Sequence, residues 1–176
     1  EFERAVCFLP VDIEPKVDWV VQGDALNIGV GDLEYCDIVI TNPPYMGSNA
    51  MNKKLINYAQ NYYPDSKSDM FAMFIEKCND FSQENGFFAL ITQHTWMLIL
   101  SYENLRKKII NQNTILNLLH FGRGVFGSDF GTVAFVVTKK DFNNYKALYR
   151  KLHTKPGNVD SLNQKEKWFY SNFGYY

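Results

Sequence analysis

Cysteine, histidine and net charge are all scarce in this chain of 176 residues. The three cysteines, Cys7, Cys36 and Cys78, are far apart and odd in number. No Cys-x-x-Cys pair or Cys/His cluster points to zinc, a disulfide framework is not expected, and a reducing cytoplasm fits this usage. The formal net charge is -1, so no overall field selects a polyanionic partner, although local patches can. No apolar run approaches the roughly 20 residues that span a bilayer. No signal peptide is visible, so no membrane partner is expected. The chain opens on Glu1-Phe2 without a methionine and reads as a piece of something longer. What is present is length enough for one domain with a sizeable core. The composition, 46% hydrophobic and 16% aromatic, is that of a globular chain and not a disordered one.

Short apolar runs alternate with helical periods. The runs at 4–13, 17–24 and 36–42 are β-branched and nearly continuous, as strands covered on both faces are. Residues 45–67 read as a long polar loop with one helix near 53–62. The segment 68–81 is amphipathic, with Met70, Phe71, Phe74, Ile75, Cys78 and Phe81 on one face. Ser68 is its expected N-cap and Asn85-Gly86 its stop. A strand is expected at 87–92, a helix at 101–111, and strands at 115–121 and 132–138. The last two are joined by only about ten residues, too few for a helical crossover, so they are expected to be antiparallel. The fold class is therefore α/β: a Rossmann-like, mostly parallel sheet with an antiparallel C-terminal strand. From 139 to 155 the texture changes. Six Lys/Arg stand against one acid, with Phe142, Tyr145 and Tyr149 between them. A nucleic-acid-facing edge, a linker and an ordinary solvated element are all open readings of it. Residues 156–176 show no readable period.

Chemistry concentrates where strands end, because ligands of open α/β sheets bind at the carboxyl ends of strands. Three such ends carry polar residues: Asp12 with Glu14, Asp24, and Asn42. The third continues as Asn42-Pro43-Pro44-Tyr45. Each proline fixes its own φ near -65° and holds the preceding residue extended. The corner is nearly locked, and it offers the Asn42 side-chain oxygen and the Pro43 carbonyl as two acceptors. Two acceptors suit an NH2 group. An amine on an aromatic ring is a poor nucleophile, because its lone pair is shared with the ring. Accepting both its hydrogens favours a pyramidal nitrogen. Tyr45 adds a flat face on which a base can stack, worth roughly 1–3 kcal/mol. Two plainer readings compete. The prolines can be a simple turn, and Asn-Pro-x-Tyr can be a phosphotyrosine-binding-domain ligand. The second needs an exposed tail, whereas this tetrapeptide follows a core strand.

With these residues in this order, the chain resembles the S-adenosylmethionine-dependent, amino-directed DNA methyltransferases. It is most similar to the N6-adenine enzymes of restriction–modification and related phage-defence systems. The resemblance covers about residues 5–138. "VDIEPK" (11–16) resembles the family's acidic strand end, which implies that Asp12 holds the cofactor ribose. "QGDAL" (22–26) is similar to the next motif, which implies Asp24 on the cofactor adenine amino group and Ala25 against its ring. "NPPY" (42–45) matches the catalytic motif, which implies catalytic roles for Asn42, Pro43, Pro44 and Tyr45, with Asn42 also at the cofactor. "KSDMFAMFIEKC" (67–78) implies Phe74 against cofactor, and "GRGVFGSDFGTVAFVV" (122–137) implies Phe126 on the target base. The family's Gly-rich cofactor loop precedes the first of these motifs, and no Gly-x-Gly-x-x-Gly-like segment is expected upstream of it or elsewhere in the chain.

The resemblance therefore implies a partial catalytic domain over 1–138, truncated on its N-terminal side. Residues 139–176 are then an extension or the start of a linker to a target-recognition region. The implied cofactor is S-adenosylmethionine, without a metal. The implied partners are double-stranded DNA and specificity or restriction/defence subunits. Two alternatives stay open. Protein-glutamine and rRNA-guanine methyltransferases carry similar tetrapeptides, and the missing loop also fits a non-catalytic DNA-binding piece.

Overall fold

The β-branched run Cys36–Thr41 forms the strand β2, and Val39 at its middle is fully buried. A computed structural model describes residues 6–8, 36–127 and 130–176. Within it β2 pairs in parallel with β1 (Val6–Phe8) on one side and β3 (Ser82–Gln93) on the other. The remaining strands are β4 (Thr114–Gly122), β5 (Thr132–Thr138) and β6 (Leu148–Lys151). They complete one sheet of order β1-β2-β3-β5-β4-β6. β5 is antiparallel to both β3 and β4, while β6 is parallel to β4. Of the described strands β5 alone runs backwards, as its short connection from β4 requires. The carboxyl ends of β2, β3, β4 and β6 thus share one edge of the sheet.

Two helices follow β2. α1 (Lys53–Tyr62) starts at Asn52, whose side chain accepts from the Leu55 amide at 2.9 Å. α2 (Met70–Phe81) covers the sheet with its apolar face. Phe71 and Met73 from α2, Phe88 from β3, and Val133, Phe135 and Val137 from β5 are essentially inaccessible. A buried side chain of this size contributes about 1.5–3 kcal/mol. Two local expectations are corrected. The N-cap of α2 is Asp69, not Ser68: its carboxylate accepts from the Phe71 amide, whereas Ser68 lends a backbone carbonyl to the Ser48 amide. Asn85-Gly86 does not stop the helix, which ends at Phe81. Asn85 instead takes a left-handed φ of 65° in an excursion of β3, where the pairing jumps from Cys36–Ser82 to Ile38–Phe87.

A third helix, α3 (Glu103–Gln112), is tied down by Lys108, which meets Asp65 at 2.7 Å and Glu76 at 2.8 Å. Cys78 is free and buried, but Cys36 is disulfide-bonded, so the expectation of no disulfide fails for Cys36. Strand pairing decides which cysteines meet, and sequence spacing alone does not reveal it.

The segment after β5 is built onto the same sheet. β6 adds an edge strand, and residues with no readable period form α4 (Leu162–Phe169). Two buried cations hold them there through carbonyl groups. Arg150 donates to the carbonyls of Phe173 at 3.0 Å, Ser171 at 2.7 Å and Trp168, and to the Tyr175 hydroxyl at 3.0 Å. Lys165 donates to the Phe121 and Leu152 carbonyls at 2.7 and 3.1 Å. Such charge-assisted bonds are roughly twice as strong as neutral ones.

All three histidines of the chain meet where β3, β4 and β6 end. His94 Nδ1 lies 2.7 Å from His120 Nε2, and His120 Nδ1 lies 3.2 Å from His153 Nε2. Close glycines make room for the row: a Cβ on Gly131 would overlap the His94 ring, and one on Gly122 would press on His153. Burial, then the neighbouring cations, pushes His120 down from 6.5 to about 4. The unfolded chain therefore takes up this proton first on acidification. The stabilisation is complete above pH 6.5 and is lost as pH falls towards about 4. Thermal unfolding followed by circular dichroism is expected to show a Tm that drops across this window. The drop should be shallower in His120→Asn, and an equal drop would remove His120 as its cause.

Candidate functional site

The chain leaves β2 through Asn42-Pro43-Pro44-Tyr45 at the carboxyl edge of the sheet. Asn42 is exposed, Pro43 is buried, and Pro44 and Tyr45 are half-buried. The amide head therefore faces outward from a corner whose backbone is anchored. The Tyr45 hydroxyl donates to the Ile91 carbonyl of β3 at 3.1 Å and also reaches the Asn42 side-chain oxygen at 3.3 Å. The second contact is long, and an amide oxygen has two lone pairs, so an acceptor site on Asn42 stays open. Burial pushes the Tyr45 phenol up to about 12. It is consequently a neutral donor at any ordinary pH.

The next support comes from α2. Asp69 Oδ1 accepts from the Met46 amide at 3.0 Å as well as from the Phe71 amide at 3.3 Å. Backbone bonds run alongside it, from the Met70 amide to the Met46 carbonyl at 3.0 Å and from the Ser48 amide to the Ser68 carbonyl at 2.9 Å. One carboxylate thus caps the helix and holds the residue that follows the corner. Burial pushes the Asp69 carboxyl up, and its backbone donors act against that rise.

Aromatic rings close the corner. Tyr45 meets Phe71 edge-on, with centroids 6.2 Å apart, and meets Phe130 edge-on at 5.0 Å. Phe130 lies near the end of the loop between β4 and β5. That same loop carries Phe126, which is 56% exposed and holds a left-handed φ of 60°. A bulky residue in that region costs of order 1–3 kcal/mol, so an apolar ring is held out into solvent against local preference. Phe74, one turn beyond Phe71 on α2, is only 7% exposed. It belongs to the hydrophobic core, and little of its ring is open to a bound molecule. Asp12, Asp24 and Ala25 lie outside the described residues.

The structure thus joins Asn42 to Tyr45 and puts Phe126 and Phe130 on one loop. Sequence reasoning passes over Asp69, Phe71 and Phe130. An Asp one place before an apolar helical run is the usual cap signal, and it is present at Asp69. Nothing local marks Phe130, which reaches Tyr45 from a loop two strands later in the chain. The expectation that no Gly-x-Gly-x-x-Gly segment occurs is corrected: residues 122–127 have that spacing. They join two antiparallel strands and open no α-helix, so they lack the context of a dinucleotide-binding turn. Among the described residues no group of His, Cys, Asp or Glu is placed to hold a metal ion.

The exposed Asn42 oxygen is an acceptor suited to an uncharged aromatic amine, and Tyr45 lies beside it.

The model of the Eco57I restriction-modification methylase family matches residues 16–126. The chain is 42% identical over 171 residues to the adenine-specific methyltransferase PglX of Lacticaseibacillus casei (strain Zhang), a match covering 94% of this chain and 14% of that protein. It is 39% identical over 114 residues to the adenine-specific methyltransferase BrxX of Escherichia coli O9:H4 (strain HS), covering 65% of this chain and 10% of that protein. Its fold is similar to the methyltransferase subunit of a type I restriction-modification system from Streptococcus thermophilus. There the TM-score is 0.56 and the identity 16%, over 84% of this chain and 34% of that one. The chain spans only a small part of the length of the relatives it matches.

Proposed function

The chain belongs to the Eco57I restriction-modification methylase family, and from that premise we propose that the complete protein methylates N6 of adenine in double-stranded DNA. The observation that carries the reading is the anchored corner with Asn42 facing outward. Adenine N6 is an aromatic NH2 group, the chemistry for which two fixed acceptors are suited. When bound, S-adenosylmethionine supplies a methyl group on a sulfonium, which is already a good electrophile. Asp12, Asp24, Ala25, Asn42 and Phe74 are the residues that would hold it.

The remaining work falls to this chain's own groups. Adenine within a duplex cannot reach the corner, so it must be flipped out at a cost of a few kcal/mol. Tyr45 and Phe126 offset part of that cost by contact with the base. Asn42 Oδ1 and the Pro43 carbonyl accept the two N6 hydrogens and aim the nitrogen lone pair. Pro44 keeps Pro43 extended, so the two acceptors stay at a fixed spacing. Rate enhancement is then mostly positioning, an effect that reaches roughly 7–11 kcal/mol. The reading places the protein in a cytoplasmic restriction–modification or related defence system, with specificity or restriction subunits as partners. No helix among the described residues is long and apolar enough to cross a membrane.

The discriminating experiment offers the complete protein labelled cofactor with duplex DNA, ribosomal RNA or protein as acceptor. Label is expected in DNA, in N6-methyladenine on hydrolysis. Label confined to RNA or protein would replace this reading with one of the two related methyltransferase classes. Binding of DNA with no transfer to any acceptor would leave a binding piece.

A further inference from the structure

The basic stretch 139–155 is divided by the fold between two opposite edges of the sheet. Lys139, Lys140 and Lys146 lie beyond the carboxyl end of antiparallel β5 and before β6, away from the Asn42 corner. Lys151 and Lys155 lie at and beyond the carboxyl end of β6, on the same edge as Asn42. There they flank a cleft of about 450 Å³ between the ends of β4 and β6, within the roughly 300–1,000 Å³ of ordinary ligand sites.

The cleft has one sign of charge. Arg123, Lys151 and Lys155 border it, Arg123 donating to the Gly157 carbonyl at 2.9 Å, and no acidic side chain is among the described residues lining it. The nearby Asp160 is engaged by the Thr154 amide at 3.4 Å. Arg150 also borders the cleft, but its donors are committed to carbonyls and the Tyr175 hydroxyl. The walls are largely apolar, with the half-exposed ring of Tyr149 and the exposed ring of Tyr176 among them. Lys151 sits 4.8 Å from the centre of the Tyr176 ring. The histidines form part of the lining, and burial holds them below their ordinary value. They add no fixed positive charge at neutral pH. Arg123 and Gly122 begin the loop that continues to Phe126 and Phe130, and the cleft opens on the same sheet edge as the Tyr45 corner, with β3 and β5 between them in the sheet.

Cations at the rim and aromatic, apolar walls match a nucleotide, whose phosphates are anionic and whose base has a flat apolar face. We propose that this cleft seats a nucleotide of the bound DNA, with Lys151 and Lys155 facing its phosphates and Tyr149 and Tyr176 beside its base or sugar. The assignment rests on the DNA-methylating reading above and extends it to a second contact with the bound DNA.

The test compares Lys151→Gln/Lys155→Gln with Lys140→Gln/Lys146→Gln in the complete protein. The second pair removes equal charge from the opposite edge of the sheet. Binding of a fluorescent random-sequence duplex is measured by anisotropy across a salt series. Each lost phosphate contact lowers the slope of log K against log salt by about 0.9. The cleft variant is expected to lose about 1.8 from that slope, twice the single-contact value, and the control variant to match the wild type. Methyl transfer at saturating DNA should stay near the wild-type rate in the control pair. If the cleft pair fails to fold, Lys155→Glu, at an exposed position, removes one contact and is expected to lose about 0.9 from the slope. Equal slopes in all proteins, or equal losses in both pairs, would overturn the assignment. Label transferred to DNA with unchanged slopes would sink the cleft and keep the methylation reading. No DNA binding or transfer by the wild type would sink both.

Discussion

Asn42→Ala in the complete protein is expected to reduce methyl transfer to background while DNA binding survives. Asn42 is exposed at the head of the corner, and its long contact with Tyr45 leaves an acceptor lone pair open. Alanine removes that acceptor and leaves the Pro43 carbonyl alone to hold N6. A single preorganised hydrogen-bonding group at a reacting centre is worth about 10²–10³ in rate. Asn42 also orients the nucleophile, so the loss should reach at least that scale. Binding should change little, because phosphates dominate DNA affinity. Asn42→Asp keeps an acceptor oxygen and should keep part of the activity. The check is single-turnover transfer of labelled methyl at saturating DNA. A rate within tenfold of the wild type would refute the acceptor role.

Asp69→Ala is expected to be nearly as damaging, although Asp69 touches no reacting atom in the proposed chemistry. Its Oδ1 atom accepts from Met46, next to the corner, and from Phe71 at the start of α2. Losing an N-cap costs about 0.5–2 kcal/mol, so Tm should fall by several degrees. The larger effect is on rate. Without this tether the corner is held less firmly relative to α2, and a displacement of about 1 Å can cost about 10²-fold. Asp69→Asn retains an acceptor oxygen and should recover most of both properties. A purely structural role would lower Tm and leave kcat of the folded fraction intact. The two are separated by measuring kcat on protein shown folded by circular dichroism. Wild-type kcat in Asp69→Ala would end the positioning role.

Much of the fold is legible in the sequence because its signals are local. The apolar run at 36–41, the helical period at 70–81 and the short link between β4 and β5 each depend on neighbours in sequence. Residues 162–169 are not legible as a helix. Ser161 caps α4 locally, but the segment is fastened to the sheet by Arg150 and Lys165 through distant carbonyls. The histidine row is equally hidden. His94, His120 and His153 belong to three separate strand ends, and only the sheet order brings them into line. Ser68 and Asp69 are both plausible caps by residue type. The Asp69 side chain takes the role because the chain at Met46 shares the same acceptor.

Asn42-Pro43-Pro44-Tyr45 carries its chemistry in its covalent structure. Proline rings restrict φ wherever they stand, and an asparagine oxygen accepts hydrogen bonds in any fold. What only the tertiary structure decided is who holds that corner and what surrounds it. Asp69, the Ile91 carbonyl, Phe71 and Phe130 are brought to it from α2, β3 and the loop before β5. The same sheet order sends half of one basic stretch to the corner's edge and half to the opposite one. Stiffness and acceptor type follow from covalent structure over a few residues. Neighbourhood follows from strand pairing, whose register is set by burial across the whole sheet.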